Sequence, residues 1–190
     1  MKTGTRFSKE DWLALGLKQL SREGSAGLTV EALCNLAGRT RGSFYHHFND
    51  HDGFIDLLLQ AWKQRNTIDV ADEILSQAPD KRAQHLSDLA NHLDQDLERA
   101  VRQFAQSNKT AQRIVREVDG IRTEFVVGLY VDAGLAEDEA RDIAQLEYAA
   151  FVGSQIVWPD MTAEQRVRLD RRFAGMVRQA FGLNDRTDKS

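Results

Sequence analysis

Apolar residues along this chain recur every three or four positions and rarely alternate. That spacing lays one apolar stripe along a helix, whereas alternation marks strands. Trp12, Leu13, Leu17 and Leu20 stripe a first helix predicted over about Lys9–Glu23. Ser8 suits its N-cap, with Asp11 three residues on, and Gly24 stops it. After a short loop of small residues, Thr29 caps a second helix over about Val30–Ala37, with Leu33 and Ala37 facing inward. Gly38-Arg39-Thr40 reads as a tight break, because glycine accepts the backbone angles that end a helix and Thr40 caps the next. The third helix, about Arg41–His47, is anchored by Phe44 and Phe48. Two short helices joined by three residues and packed on a longer one describe a helix-turn-helix.

The pattern continues helical. Asp50 starts a fourth helix from His51 to about Ala71, striped by Phe54, Leu57, Leu58, Ala61 and Trp62. Leu86, Leu89, Leu93, Leu97, Ala100 and Phe104 predict a single fifth helix beginning at Pro79. Ser107-Asn108 breaks it, and Ile114, Val118, Ile121, Phe125 and Leu129 stripe the next, which Gly134 closes. Glu137, Asp138 and Glu139 open a further helix, where negative charge suits the helix dipole, and Pro159 ends it. This helix has two apolar faces: Ile143, Leu146, Ala150, Gly153 and Val157 on one, Tyr148, Phe151 and Trp158 on the other. Two faces need two partners, the chain's own core and a second subunit. Thr162 with Gln165 makes a capping box for the last helix, which carries Leu169, Phe173, Met176 and Ala180 and ends near Gly182. The tail Asn184–Ser190 is polar and expected to fray. No repeat and no low-complexity tract appears, and the fold class is all-α.

Composition agrees. There are only two prolines, Pro79 and Pro159, while the helix-favouring residues Leu, Ala, Glu, Gln and Arg abound. The 42% apolar and 28% charged content fits a globular protein and excludes collagen and disorder. The longest apolar run is about seven residues, Phe125–Val131, against the ~20 of a spanning helix, and no signal-peptide pattern is read at the start. Cys34, the single cysteine, forms no internal disulfide, so the expected location is cytoplasmic.

Charge is divided. Residues 1–49 carry a net +3, whereas the remainder carries −7. No acid occurs from Ala32 to Asn49, where Arg39, Arg41, His46 and His47 sit. A basic head on an acidic body implies a polyanion partner for the head alone, with chance scatter as the alternative.

The ordered set Thr29, Ala37-Gly38, Arg39-Thr40, Arg41, Gly42, Ser43, Phe44, Tyr45, His46, His47, Phe48 closely resembles the signature of TetR-family transcription regulators. A looser likeness to one subgroup's C-terminal domain runs through Phe104–Asn108, Val115–Asp119 with Arg122, Ala133–Leu135 and Glu139–Arg141. The resemblance implies a DNA-binding domain over 1–50 and a ligand-binding and dimerisation domain over 51–190. It also implies a homodimer joined through its last two long helices and a pocket among the middle helices. Two departures stand out: Arg39 replaces the usual apolar residue, and His51 replaces a lysine that grips the DNA backbone.

The candidate DNA contacts are Thr29, Arg39, Thr40, Arg41, Gly42, Ser43, Tyr45, His46, His47 and His51. Arg41 opens the helix that would enter the major groove, and its planar fork matches guanine O6 and N7. Thr40 and Ser43 suit base edges or phosphate, Gly42 allows close backbone approach, and Tyr45 offers a face for a thymine methyl. Thr29 and its helix N-terminus can hold a phosphate. Plainer readings stand beside these: a solvated Arg41, simple caps at Thr29 and Thr40, a packing Tyr45, and one of the two adjacent histidines turned inward.

Trp62, Phe104, Phe125, Tyr148 and Phe151 are candidates for a ligand cavity, with core packing as the plainer reading. Ile143, Leu146, Ala150, Gly153, Val157, Phe173 and Met176 are candidates for the dimer interface. Neither His47 with His51 nor His85 with His92 and Asp88 makes a converging zinc set, so no metal and no cofactor is expected. Cys34 among Leu33, Leu36 and Ala37 reads as a core residue. No hydrolase elbow, phosphate-binding glycine loop or zincin motif occurs, so no enzyme is expected. The expected function is a ligand-responsive repressor on a near-palindromic double-stranded DNA operator. The alternative is a helical small-molecule or protein-binding module without DNA binding.

Overall fold

The computed structural model describes residues 7–183, which form ten α-helices and no strand. Helix α1 spans Lys9–Glu23, α2 Val30–Ala37, α3 Arg41–Tyr45, α4 His51–Lys63 and α5 Asp69–Leu75. They are followed by α6 at Pro79–His92, α7 at Gln95–Ala105, α8 at Lys109–Ala133, α9 at Glu137–Val157 and α10 at Ala163–Phe181.

The caps are built as the sequence prescribes. Ser8 and Asp11 form a reciprocal capping box on α1, and Thr162 and Gln165 form another on α10. Thr29, Thr40 and Asp50 each accept the backbone N–H three residues on, opening α2, α3 and α4. Gly38 closes α2 at φ 62°, in the left-handed region glycine occupies without strain.

Three stretches differ from the pattern. The predicted fifth helix is two: Leu93 turns extended, ψ 160°, and α7 starts afresh at Asp94. Asp94 accepts the Leu97 N–H at 3.0 Å and the Ser21 hydroxyl at 3.2 Å. Apolar periodicity had carried smoothly through Leu93, but a capping carboxylate ends one helix and begins another without disturbing it. Beyond α4 the chain passes through a single π-helical turn, Gln64–Ile68, before α5. The third helix stops at Tyr45 rather than His47. The tail Asn184–Ser190 lies outside the described residues.

Two compact units emerge: residues up to Asn66 together with Asp94–Val118, and Thr67–Leu93 together with the chain from Asp119 onward. The first buries Trp12, Leu20, Leu33, Phe44, Phe54, Leu58 and Trp62, with Leu97, Val101 and Ile114 from α7 and α8. Gly16 sets the α1–α4 distance, since a Cβ there would sit 2.8 Å from Leu58 and Phe54 side-chain atoms. The helix-turn-helix therefore shares its core with α4, α7 and the start of α8. In the second unit Val127, Leu135, Ala140 and Ala144 form the core, with Val126, Tyr130 and Ile143 packed against it. Among the described residues, no helix is long and apolar enough to cross a membrane.

Candidate nucleic-acid interface

Helix α3 is held from behind by aromatics. Phe44 is fully buried, with ring centroids 5.3 Å from Trp12, 5.1 Å from Phe54 and 4.9 Å from Phe48. The contacts to Trp12 and Phe54 are edge-on, which fixes orientation as well as burying area. The face opposite Phe44 is turned outward. Arg41, Gly42 and Tyr45 are exposed, as are Arg39, Thr40 and His46 around them, and Ser43 is half-buried. Thr40 Oγ1 accepts the Ser43 N–H at 3.2 Å, so Thr40 caps α3 while remaining on the surface.

Gly42 has no internal reason to be glycine. A Cβ there would meet only Thr40 Oγ1, at 3.7 Å, an ordinary contact. Its φ is not positive either.

Two candidate histidines are turned toward the protein. His47 Nε2 lies 3.1 Å from the Phe7 carbonyl oxygen, and His51 Nε2 lies 2.8 Å from the Leu28 carbonyl oxygen. His51 thus ties the start of α4 to the turn before α2, where a lysine would reach outward. Of the adjacent pair, His46 is the exposed one, its ring edge-on to His47 at 5.0 Å.

Cys34 is a core residue, whereas its neighbour Leu36 is 58% exposed. Its position explains this: the inward stripe of α2 is Val30, Leu33 and Cys34, with Ala37 partly buried, and Leu36 falls off that spacing. Cys34 is buried, which pushes its thiol above the ordinary range. The charge of Arg41 opposes that rise, a basic neighbour not evident from sequence distance.

The candidate cavity aromatics divide between the units. Trp62 is wholly buried in the first core, where its indole N–H donates to Glu98 Oε1 at 2.9 Å. Asn66 Nδ2 donates to the same oxygen at 3.0 Å. This is the core reading of Trp62. Phe104, also in the first unit, lines a half-open cavity of about 520 Å³ with Glu23, Ser25, Ala100, Gln103 and Ser107. Phe125, Tyr148 and Phe151 are half-buried in the second unit. Tyr148 donates its hydroxyl to Asp119 Oδ1 at 2.7 Å and stacks on Phe151 at 6.4 Å.

Sequence did not single out the polar core of the second unit. Tyr130 donates its hydroxyl to Glu147 Oε2 at 2.6 Å. Asp170 accepts from Ser87 at 2.8 Å and from Asn91 at 2.6 Å. Burial raises both carboxyls above the ordinary range. For Glu147 the Tyr130 hydrogen bond opposes the rise, while the nearby charge of Asp170 adds to it.

Of the candidate interface residues, Leu146, Val157 and Met176 are 60–61% exposed, Ala150 is exposed, and Ile143, Gly153 and Phe173 are half-buried. Ile156, at 63% exposure, joins them on α9. No cluster of three metal-ligating side chains occurs among the described residues.

No protein-family model matches the chain, and no curated protein does. Solved structures do. A transcriptional regulator from Rhodococcus sp. Rha1 aligns with TM-score 0.76 at 18% identity, over 91% of this chain and 97% of that one. One named as TetR-family, from Rhodococcus sp., aligns at 0.65 and 14% identity over 89% and 95%. The ketosteroid transcriptional regulator KstR2 of Mycobacterium tuberculosis aligns at 0.62 and 18% identity over 90% and 93%. Identities this low speak for the fold: the chain has the TetR-like all-α fold of these regulators.

Proposed function

We propose that this protein is a TetR-family transcription regulator that binds a near-palindromic operator as a homodimer and releases it when a small molecule binds. One observation carries the reading. A helix locked by Phe44 presents Arg41, Gly42, Ser43 and Tyr45 outward from an acid-free stretch, within the fold of solved regulators. An α-helix fits the major groove, and Arg41 at its start is placed to pair with guanine. Gly42, which nothing internal requires, suits a backbone that must approach DNA closely. Thr29 and Thr40 cap their helices at the surface, where helix N-termini favour phosphate.

The dimer reading rests on Leu146, Ala150, Ile156 and Val157 of α9 and Leu169 and Met176 of α10, which leave apolar area open to solvent. The effector reading rests on the half-buried aromatics Phe125, Tyr148 and Phe151 and favours a largely apolar molecule. DNA and effector are linked: a ligand that prefers a conformation with wrongly spaced heads weakens DNA binding by its ratio of affinities for the two states. The protein then acts in the cytoplasm, as a repressor, and as a binding protein rather than an enzyme.

Selection of random duplex DNA by the purified protein tests this. The expected product is an enriched site with two inverted half-sites about 10 base pairs or a multiple apart. Enrichment of no sequence over the starting pool contradicts the reading.

A further inference from the structure

Four helices of the second unit bring one polar cluster together: Ser87 and Asn91 from α6, Tyr130 from α8, Glu147 from α9 and Asp170 from α10. Asn91 is only 2% exposed, and its Nδ2 donates to Asp170 Oδ2 at 2.6 Å and to the Ser87 carbonyl at 2.8 Å. Its Oδ1, on the same amide, is buried with no hydrogen-bond partner among the described residues. Leaving a buried amide oxygen unpaired is costly. The donors of the cluster are already used. The Ser87 hydroxyl and Asn91 Nδ2 both go to Asp170 Oδ2, and the Tyr130 hydroxyl goes to Glu147 Oε2. Asp170 Oδ1 and Glu147 Oε1 accept from no described residue.

The cluster is thus rich in acceptors, and it is also short of positive charge. Burial opposes ionisation of both carboxyls, and the charge of Asp170 adds to the burden on Glu147. Arg166 offsets part of this at Asp170 and Arg178 acts on Tyr130, but no described cation offsets the charge of Glu147. Tyr130, Glu147 and Asp170 are each half-buried, so the cluster is not sealed from solvent. An ammonium group brings what is missing: three N–H donors, no acceptor and one positive charge. A metal ion suits it less, since no three metal-ligating side chains converge among the described residues. Phe151 stands one turn beyond Glu147 on the same face of α9, with its ring stacked on Tyr148.

We propose that this cluster seats a small amphipathic amine: its ammonium group donates to Glu147, Asp170 and Asn91 Oδ1, and its apolar body lies toward Phe151. The proposal deepens the effector reading, on which it rests, by naming the chemical class of the ligand as a primary amine on an apolar body.

The test uses the full chain, titrated calorimetrically at neutral pH and matched ionic strength with n-alkylamines from butylamine to decylamine. The alcohol and the carboxylate of each chain length serve as neutral and anionic counterparts. An alkylamine is expected to bind wild type and raise its thermal midpoint, with the matching alcohol about tenfold or more weaker and the carboxylate weaker still. Glu147→Gln removes the charge while keeping the shape. It should weaken the amine about tenfold or more and leave the alcohol unchanged. Asp170→Asn gives the same comparison if Glu147→Gln lowers the thermal midpoint of the free protein. Binding of no alkylamine overturns the proposal, as does an alcohol or carboxylate that binds as tightly as its amine, or an amine affinity unchanged in both variants. Release of the selected operator is read separately with the same amine. Binding at Glu147 without release keeps the site and overturns the link between effector and DNA, so the two readings fail distinguishably.

Discussion

At the residue scale, Glu147 is a carboxyl displaced by its surroundings. Burial holds its carboxyl above the ordinary range, the Tyr130 hydroxyl partly offsets that, and the charge of Asp170 adds to it. A raised folded-state value means the native protein binds more protons than the unfolded chain between about pH 4.3, the unperturbed glutamate value, and the raised one. Stability contributed through Glu147 therefore falls as pH rises across that window. Glu147→Gln, with no charge to bury, should melt higher than wild type at pH 7–8, by about 2–4 °C for each kcal/mol relieved. The gap should close toward pH 4–5, which thermal melts of both proteins would show. A constant gap across pH would mean that the charge is not its cause. Nothing in the sequence marks this residue, because the groups that act on it, Tyr130 and Asp170, are 17 and 23 positions away. The outward face of α3 was legible, since the positions around Phe44 follow directly from helical geometry. The inward turn of His47 and His51 was not, because each bonds to a carbonyl from a distant part of the head.

At the element scale, caps were the best guides. Ser8, Thr29, Thr40, Asp50 and Thr162 all open the helices that their side chains predict, because capping is a contact within three residues. The split between α6 and α7 shows the limit of periodicity, which measures which face is apolar and not whether the backbone is continuous. Asp94 is the residue that makes the split, and by accepting from Ser21 it also ties α7 to α1. Asp94→Ala should cost about 0.5–2 kcal/mol, the usual loss for a cap, and urea unfolding of both proteins measures it. An unchanged midpoint would mean that the Asp94 cap contributes no measurable stability. The π turn at Gln64–Ile68 carried no sequence signal that separates it from ordinary helix.

At the scale of the whole molecule, the all-α architecture was legible from spacing alone. The sharing of one core by the helix-turn-helix, α7 and the start of α8 was not, since it joins segments far apart in sequence. The exposed apolar face of α9 and α10 predicts a dimer of twice the 21.5 kDa chain by light scattering. Ala150→Glu should give monomers, because burying an unpaired charge in that face is costly. A wild type that stays at 21.5 kDa at micromolar concentration contradicts the dimer.

Base reading by α3 is tested by titration of the selected operator with wild type and Arg41→Ala. Operators altered one base pair at a time supply the specificity readout, and equal thermal midpoints show that both proteins are folded. Arg41→Ala is expected to bind more weakly by about 1–3 kcal/mol and to lose its preference at one base pair in each half-site. Wild-type affinity with unchanged base preference would make Arg41 a solvated surface residue and would contradict the assignment of α3 as the reading helix.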